Sequence, residues 1–290
     1  MRVLVTGATG QLGSDLCQAL QDFEVIPLAH SDIEITDIKA VKETFSKYRP
    51  EVVINTAACV RVDDCEADQE KAFLVNALGA QNVAVVTQGL GASLVHISTD
   101  YVFGGESEPH ATPYTESDTP VPPNIYGKSK LAGEIFVQHL CQKHFIIRTS
   151  GLFGVAGSSG KGGNFVETML RLGKERDELK VVNDQIFSPT YTKDLAQKIA
   201  RLITTEYYGT FHITNRGACS WYEFAKEILR LTGSKTPVIP ITSDMYPQKA
   251  KRPSFSVLDN YHLRLLGMDD MNLWQEALGD YLGEKGVFRG

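Results

Sequence analysis

The chain is poor in cysteine, with five in 290 residues, and no two of them form a C-x-x-C pair. Cys17, Cys59, Cys65, Cys141 and Cys219 are an odd set with no ligand spacing, so reduced thiols are expected rather than a disulfide framework or a zinc site. His96, His139 and His144 likewise lack a ligand pattern, and no metal is expected. Basic residues are not in excess: 29 Lys and Arg face 35 Asp and Glu, a formal charge of −6. That balance argues against nucleic acid as a main partner. No apolar run reaches the ~18 residues of a membrane span, and Arg2 leads into a glycine-rich turn rather than a leader pattern. A cytoplasmic chain with no membrane partner is therefore expected. There is no internal repeat or low-complexity tract.

What is present is an alternation of short apolar runs and amphipathic stretches, the pattern of an α/β, doubly wound parallel sheet. Strands are expected at Arg2–Thr6, Glu24–Leu28, Val52–Thr56, Leu94–Ser98 and His144–Arg148. Helices are expected at Ser14–Leu20, Ile38–Tyr48, Ala67–Gly89 and Ile125–Cys141. The stretch from Gly104 to Pro123, closed by Pro120, Pro122 and Pro123, reads as a loop over the ligand crevice, after which Asn124 caps the next helix. Past Thr149 the alternation weakens. A glycine-serine segment, Gly154 to Gly163, is expected to be mobile without ligand. Helices follow at Asn164–Glu175, Lys193–Thr204 and Trp221–Thr232, and Thr210–Thr214 is expected as a strand that returns to the main sheet.

Three features carry chemistry. Tyr126 and Lys130 are four residues apart, hence on one helix face. A phenol titrates near ~10, and a fixed ammonium within roughly 4 to 6 Å lowers that value, so the pair suits proton delivery to an oxygen. Arg2-Val3-Leu4-Val5-Thr6 runs into Gly7-Ala8-Thr9-Gly10-Gln11-Leu12-Gly13 and then a helix. Strand, glycine turn and helix together suit a pyrophosphate held at a helix N-terminus, although the spacing is GxxGxxG rather than GxGxxG. Leu94 to Ser98 ends in the adjacent hydroxyls Ser98 and Thr99 at the end of a strand, where side chains reach the ligand crevice.

In this order, a glycine-rich first turn, a Ser/Thr and Tyr-x-x-x-Lys, the chain resembles the extended short-chain dehydrogenase/reductase family. Val53-Ile54-Asn55-Thr56-Ala57-Ala58, Ser98-Thr99-Asp100-Tyr101-Val102-Phe103, Asn124 through Glu134, Arg148-Thr149-Ser150, Asn164-Phe165-Val166, Asp184-Gln185 with Ser188-Pro189-Thr190, and Arg252-Pro253 are similar to its dTDP-4-dehydrorhamnose reductase branch. The resemblance implies a Rossmann domain over residues 1–150 and a smaller α/β substrate lobe over 151–290, with about 188–214 returning to the first. It also implies NAD(P)H-dependent reduction of the C4 ketone of a nucleotide-linked 6-deoxyhexose. Thr99, Tyr126 and Lys130 would be catalytic, Thr99 bonding the carbonyl.

Cofactor contacts are expected from Gly7, Thr9, Gly10, Gln11, Leu12, Gly13, Glu34, Ile35, Ala57, Ala58, Cys59, Asn76, Ser98, Tyr126 and Lys130. At the end of the second strand, Ala29-His30-Ser31 offers neither an acid for a ribose hydroxyl nor an Arg or Lys for a phosphate, so use of both cofactors with a lean to NADPH is expected, through His30 and Ser31. Val60, Val62, Thr99, Asp100, Gly151, Phe153, Asn164 and Arg252 are the expected substrate contacts. The branch usually places a tryptophan against the sugar where this chain has Gly151, and Phe153 is the residue expected to fill that space. Three alternatives are weighed: another nucleotide-sugar 4-ketoreductase, a 4-epimerase, and a non-catalytic NADP-binding subunit resembling the regulatory β subunit of methionine adenosyltransferase. A 4,6-dehydratase is disfavoured because Tyr101, not Glu, follows Asp100. The expected partner is a small nucleotide sugar, on a monomer or homodimer.

Overall fold

In the computed structural model, which describes residues 1–107, 112–157, 163–246 and 248–289, six parallel strands form the central sheet. They are β1 (Arg2–Thr6), β2 (Glu24–Leu28), β3 (Val52–Asn55), β4 (Ser93–Ile97), β5 (His144–Arg148) and β10 (Gly209–His212), in the order β10-β5-β4-β3-β1-β2. Their residues are apolar and nearly all buried because helices cover both faces. On one face Leu12 and Leu16 of α1 (Gln11–Ala19) pack with Leu195 and Ile199 of α8 (Thr192–Leu202). On the other, Val41 and Phe45 of α2 (Ile38–Tyr48), Val83 of α5 (Ala80–Gly89) and Val137 of α6 (Ile125–Leu140) close the core. Strand order changes direction between β1 and β3, which opens a crevice at their carboxyl ends.

The expected helix from Ala67 to Gly89 is not continuous. A separate helix, α3 (Val62–Ala67), ends where it was expected to start, and the rest divides into α4 (Gln69–Phe73), a π-helical turn (Leu74–Gly79) and α5. The Asp68 side chain accepts from Lys71 N and so caps α4, starting a new helix where periodicity alone suggested none. The π turn holds Asn76, and such turns recur at functional sites. Elsewhere the expected helices appear as α7 (Phe165–Glu175), α8 and α9 (Trp221–Leu231), within a few residues of their anticipated bounds. The expected returning strand is β10, hydrogen-bonded to β5.

A second core lies in the C-terminal half, between α7, α9 and α11 (Trp274–Glu284). Phe153, Phe187, Phe224, Tyr191 and Tyr281 fill it. Three two-stranded pairs frame it: β6 (Leu152–Phe153) with β9 (Thr190–Tyr191), β8 (Ile186–Phe187) with β11 (Cys219–Ser220), and β7 (Leu179–Val182) with β12 (Val238–Ile241). The tail re-enters the first core, where Leu263 of α10 (Tyr261–Leu265) and Met271 pack beneath the sheet. Residues 158–162 of the glycine-serine segment and 108–111 of the crevice loop lie outside the described residues. Among the described residues no helix is long and apolar enough to cross a membrane.

One buried ion pair fixes α6 to the sheet. Arg148 of β5 and Glu134 of α6, both nearly inaccessible, meet through Nη2–Oε2 at 2.7 Å and Nε–Oε1 at 3.0 Å. Ser98 Oγ donates to the same carboxylate at 2.5 Å. Removing one partner leaves a buried charge alone, which typically costs ~3–5 kcal/mol. Glu134→Ala should lower the unfolding free energy by about that amount in urea titrations, and a loss below ~1 kcal/mol would mean the pair does not hold the helix.

Candidate active site

The crevice, about 1170 Å³, runs from the β1 glycine turn to the C-terminal lobe. At its first end Gly7 takes φ +69°, and a Cβ there would sit 2.5 Å from Thr56 Oγ1; at Gly13 it would sit 2.2 Å from the Gly7 carbonyl oxygen. Only hydrogen fits at these positions, and the turn closes through Gly10 N donating to Gly7 O at 2.9 Å. Gly10 caps α1 without a side-chain hydrogen bond, so the first amides of α1 are presented to the crevice. That cradle suits an anion, and the diphosphate of a dinucleotide fits the residues present.

Thr9, Gln11, Leu12, His30, Glu34, Ile35, Ala57, Ala58, Cys59, Val60 and Val62 line the same crevice, as do Ser98, Thr99, Asp100, Tyr126, Lys130, Gly151, Phe153 and Asn164. Three expected contacts stand apart. Ser31 is exposed and not on its wall. Arg252 lies beside a neighbouring cavity of about 560 Å³, paired with Asp63 at 3.1 Å. Asn76 is buried behind the wall: its Oδ1 accepts from Cys59 N at 2.8 Å, and its Nδ2 donates to Cys59 O at 3.1 Å and Ser129 Oγ at 3.0 Å. It therefore ties the loop after β3 to α6.

Tyr126 and Lys130 both project from α6, which begins where the Asn124 side chain accepts from Gly127 N at 2.8 Å. Lys130 is buried and its Nζ donates to the Ile97 carbonyl at 2.5 Å. Burial lowers its pKa to about 8, opposed by Glu134. Burial pushes the Tyr126 phenol well above its ordinary value; a hydrogen bond with Thr99 opposes the rise and the Asp100 charge adds to it. The lowered phenol expected from the four-residue spacing is thus not seen, because the Lys130 ammonium faces the strand-end carbonyl and desolvation outweighs it. A raised phenol keeps its proton and remains a donor at neutral pH.

Asp100 is the second titratable centre. Its carboxylate accepts from Ser256 Oγ at 2.6 Å, Ser150 Oγ at 2.8 Å and Thr99 Oγ1 at 3.2 Å, yet burial raises its pKa to about 6. Ser150 was within a motif read from the sequence, but Ser256 was not anticipated; 156 residues separate it from Asp100, and no local pattern signals such a contact.

One further expectation is corrected. Phe153 does not project toward the gap left at Gly151: it is 1% exposed and stacked on Tyr191 at 5.5 Å within the second core. Phe187 occupies that place instead, since a Cβ on Gly151 would lie 2.3 Å from its Cε2. The Asn164 side chain is engaged as the α7 cap, accepting from Glu167 N at 3.0 Å and donating to Gly154 O at 3.0 Å and Gln11 Oε1 at 3.1 Å. Gly151 has φ +54°, costly for any residue with a Cβ. Gly151→Ala should therefore lower stability by ~1–3 kcal/mol, measured by denaturant unfolding; an unchanged midpoint would contradict the Phe187 contact.

With this geometry in hand, the comparisons with known proteins are direct. Residues 1–286 match the family model described as RmlD substrate binding domain. The spore coat polysaccharide biosynthesis protein SpsK of Bacillus subtilis is 44% identical over 98% of both chains. Among solved structures, a dTDP-4-dehydrorhamnose reductase from Clostridium acetobutylicum is 46% identical, covers 99% of this chain and 100% of its own, and superposes with a TM-score of 0.93. One from Bacillus anthracis, solved in complex with NADP, is 45% identical with coverage of 98% and 99% and a TM-score of 0.92. The chain belongs to the RmlD substrate binding domain family.

Proposed function

We propose that this chain reduces the C4 ketone of a nucleotide-linked 6-deoxyhexose, dTDP-4-dehydro-L-rhamnose to dTDP-L-rhamnose, with NADPH as its cofactor. The observation that carries the reading is the meeting of Thr99, Tyr126 and Lys130 in one crevice that also contains the glycine cradle. Relatives named as reductases of this sugar, one of them solved with NADP, support it. Residues 1–150 would hold mainly the cofactor and 151–290 mainly the sugar nucleotide, with about 188–214 belonging to the first unit.

NADPH, when bound, supplies the hydride. The chain supplies the rest. Backbone amides of Gln11 and Leu12, at the start of α1, would receive the diphosphate, and Ala57 and Ala58, being small, let a ring lie close to β3. His30, whose Nε2 lies 4.0 Å from Glu34 Oε2, would stand near the adenosine ribose. The Thr99 hydroxyl, which donates to Asp100 at 3.2 Å, would turn its proton to the ketone oxygen, and Tyr126 would deliver its phenolic proton to that oxygen as it becomes an alcohol. Lys130 would hold the ribose hydroxyls and, as a buried cation, favour the phenolate left behind. Asp100 would bond a neighbouring sugar hydroxyl. Each contribution is an ordinary acid–base or orienting effect; proton delivery alone is worth ~10²–10⁴-fold.

Loss of NADPH absorbance with dTDP-4-dehydro-6-deoxy-L-mannose, with NMR identification of the product, tests the reading: dTDP-L-rhamnose supports it, and bound NADPH with no oxidation overturns it. Tyr126→Phe should lower kcat by ~10²–10⁴-fold with the NADPH Kd unchanged; a variant keeping most of its turnover would remove Tyr126 from the chemistry.

The Asp100 carboxylate titrates near 6, and its negative charge raises the phenol. Neutralising it removes one cause of the raised phenol, so the phenol's own titration, followed as the tyrosinate absorbance that Tyr126→Phe abolishes, should move to lower pH in Asp100→Asn. A shift to higher pH would contradict this electrostatic arrangement.

A further inference from the structure

Opposite the reacting residues the crevice wall is aromatic. Phe187 and Trp221 stack with ring centroids 3.8 Å apart and planes 22° from parallel, and Phe165 continues the surface 4.7 Å from Trp221. All three line the crevice. Trp221 and Phe165 remain half-exposed although large and apolar, whereas Phe187 is buried beneath them.

Both rings are held from behind. Phe187 pairs with Cys219 in the β8–β11 ladder. Trp221 is the first residue of α9, whose capping box sets its direction: Ser220 Oγ accepts from Glu223 N at 3.1 Å, and Ser220 N donates to Glu223 Oε2 at 2.8 Å. A rigid aromatic face open to the crevice is a stacking surface rather than a gap in the packing.

The wall has a defined place relative to the chemistry. Phe187 rests on Gly151; Ser150 beside it donates to Asp100, and Asp100 adjoins Thr99. It therefore begins beside Asp100 and Thr99, the residues assigned above to the sugar hydroxyl and the ketone. A 6-deoxyhexose presents there a C–H face and a methyl group, both apolar. We propose that the Phe187–Trp221 stack is the specificity wall of this enzyme, against which the apolar face and methyl of the deoxyhexose lie. This rests on the functional reading above.

Trp221 reports on the wall directly because the chain has only one other tryptophan, Trp274, which is 5% exposed in the C-terminal core. In a Trp274→Phe variant loaded with NADP, dTDP-L-rhamnose should change the Trp221 emission, while dTDP alone should not. An equal response to dTDP would place the base on the wall and overturn the assignment, as would no response to a dTDP-sugar shown by calorimetry to bind. Trp221→Ala should raise KM for the ketosugar roughly tenfold or more with the NADPH Kd unchanged, and Trp221→Phe should recover most of it. If the wild type turns over and the Trp221→Ala KM stays within about twofold, the wall fails and the reductase reading stands; if the wild type does not turn over, the reductase reading fails, and the emission arm still tests the wall.

Discussion

The buried pair between Glu134 and Arg148 is the interaction on which the site depends. Tyr126, Lys130 and Glu134 follow one another at four-residue intervals along α6, so they form a single stripe on its inward face. The third member is locked to β5 and to Ser98 at the end of β4. The first two are thereby held over the carboxyl ends of β3 and β4, where the crevice opens. A second tie, from Asn76 to both Ser129 of α6 and the Cys59 backbone, sets the distance between that helix and the loop expected to receive the cofactor. The reacting groups are held by contacts that never reach the ligand.

Desolvation governs the electrostatics that result. Inside this crevice the Tyr126 phenol rises, the Lys130 ammonium falls to about 8, and the Asp100 carboxyl rises to about 6. Each shift favours the neutral form, the signature of burial rather than of pairing. A neutral phenol is the form a ketone reduction needs, since the new alcohol must gain a proton. The carboxylate beside it, engaged by three hydroxyls, reinforces that state by opposing phenolate formation.

Much of this was legible in the sequence because it is local. The glycine turn after β1, the hydroxyls ending β4 and the Tyr126–Lys130 spacing are each set within a few residues, and backbone geometry carries them to the crevice. What was not legible depends on distant segments meeting. Ser256 reaching Asp100, Phe187 filling the place of a side chain at Gly151, and Arg252 turning to Asp63 all arise from packing of the C-terminal half, which no periodicity encodes. The break at Asp68 was missed for the opposite reason: a single capping contact overrode an unbroken helical pattern.

The central claim is that a hydride reaches C4 of the sugar within this crevice, and isotopic transfer tests it most directly. Turnover of the 4-ketosugar with NADPH carrying deuterium at both positions of the nicotinamide C4, followed by NMR of the product, should place deuterium at C4 of the hexose and nowhere else. Product without deuterium at C4, or deuterium at C3 or C5, would contradict the account.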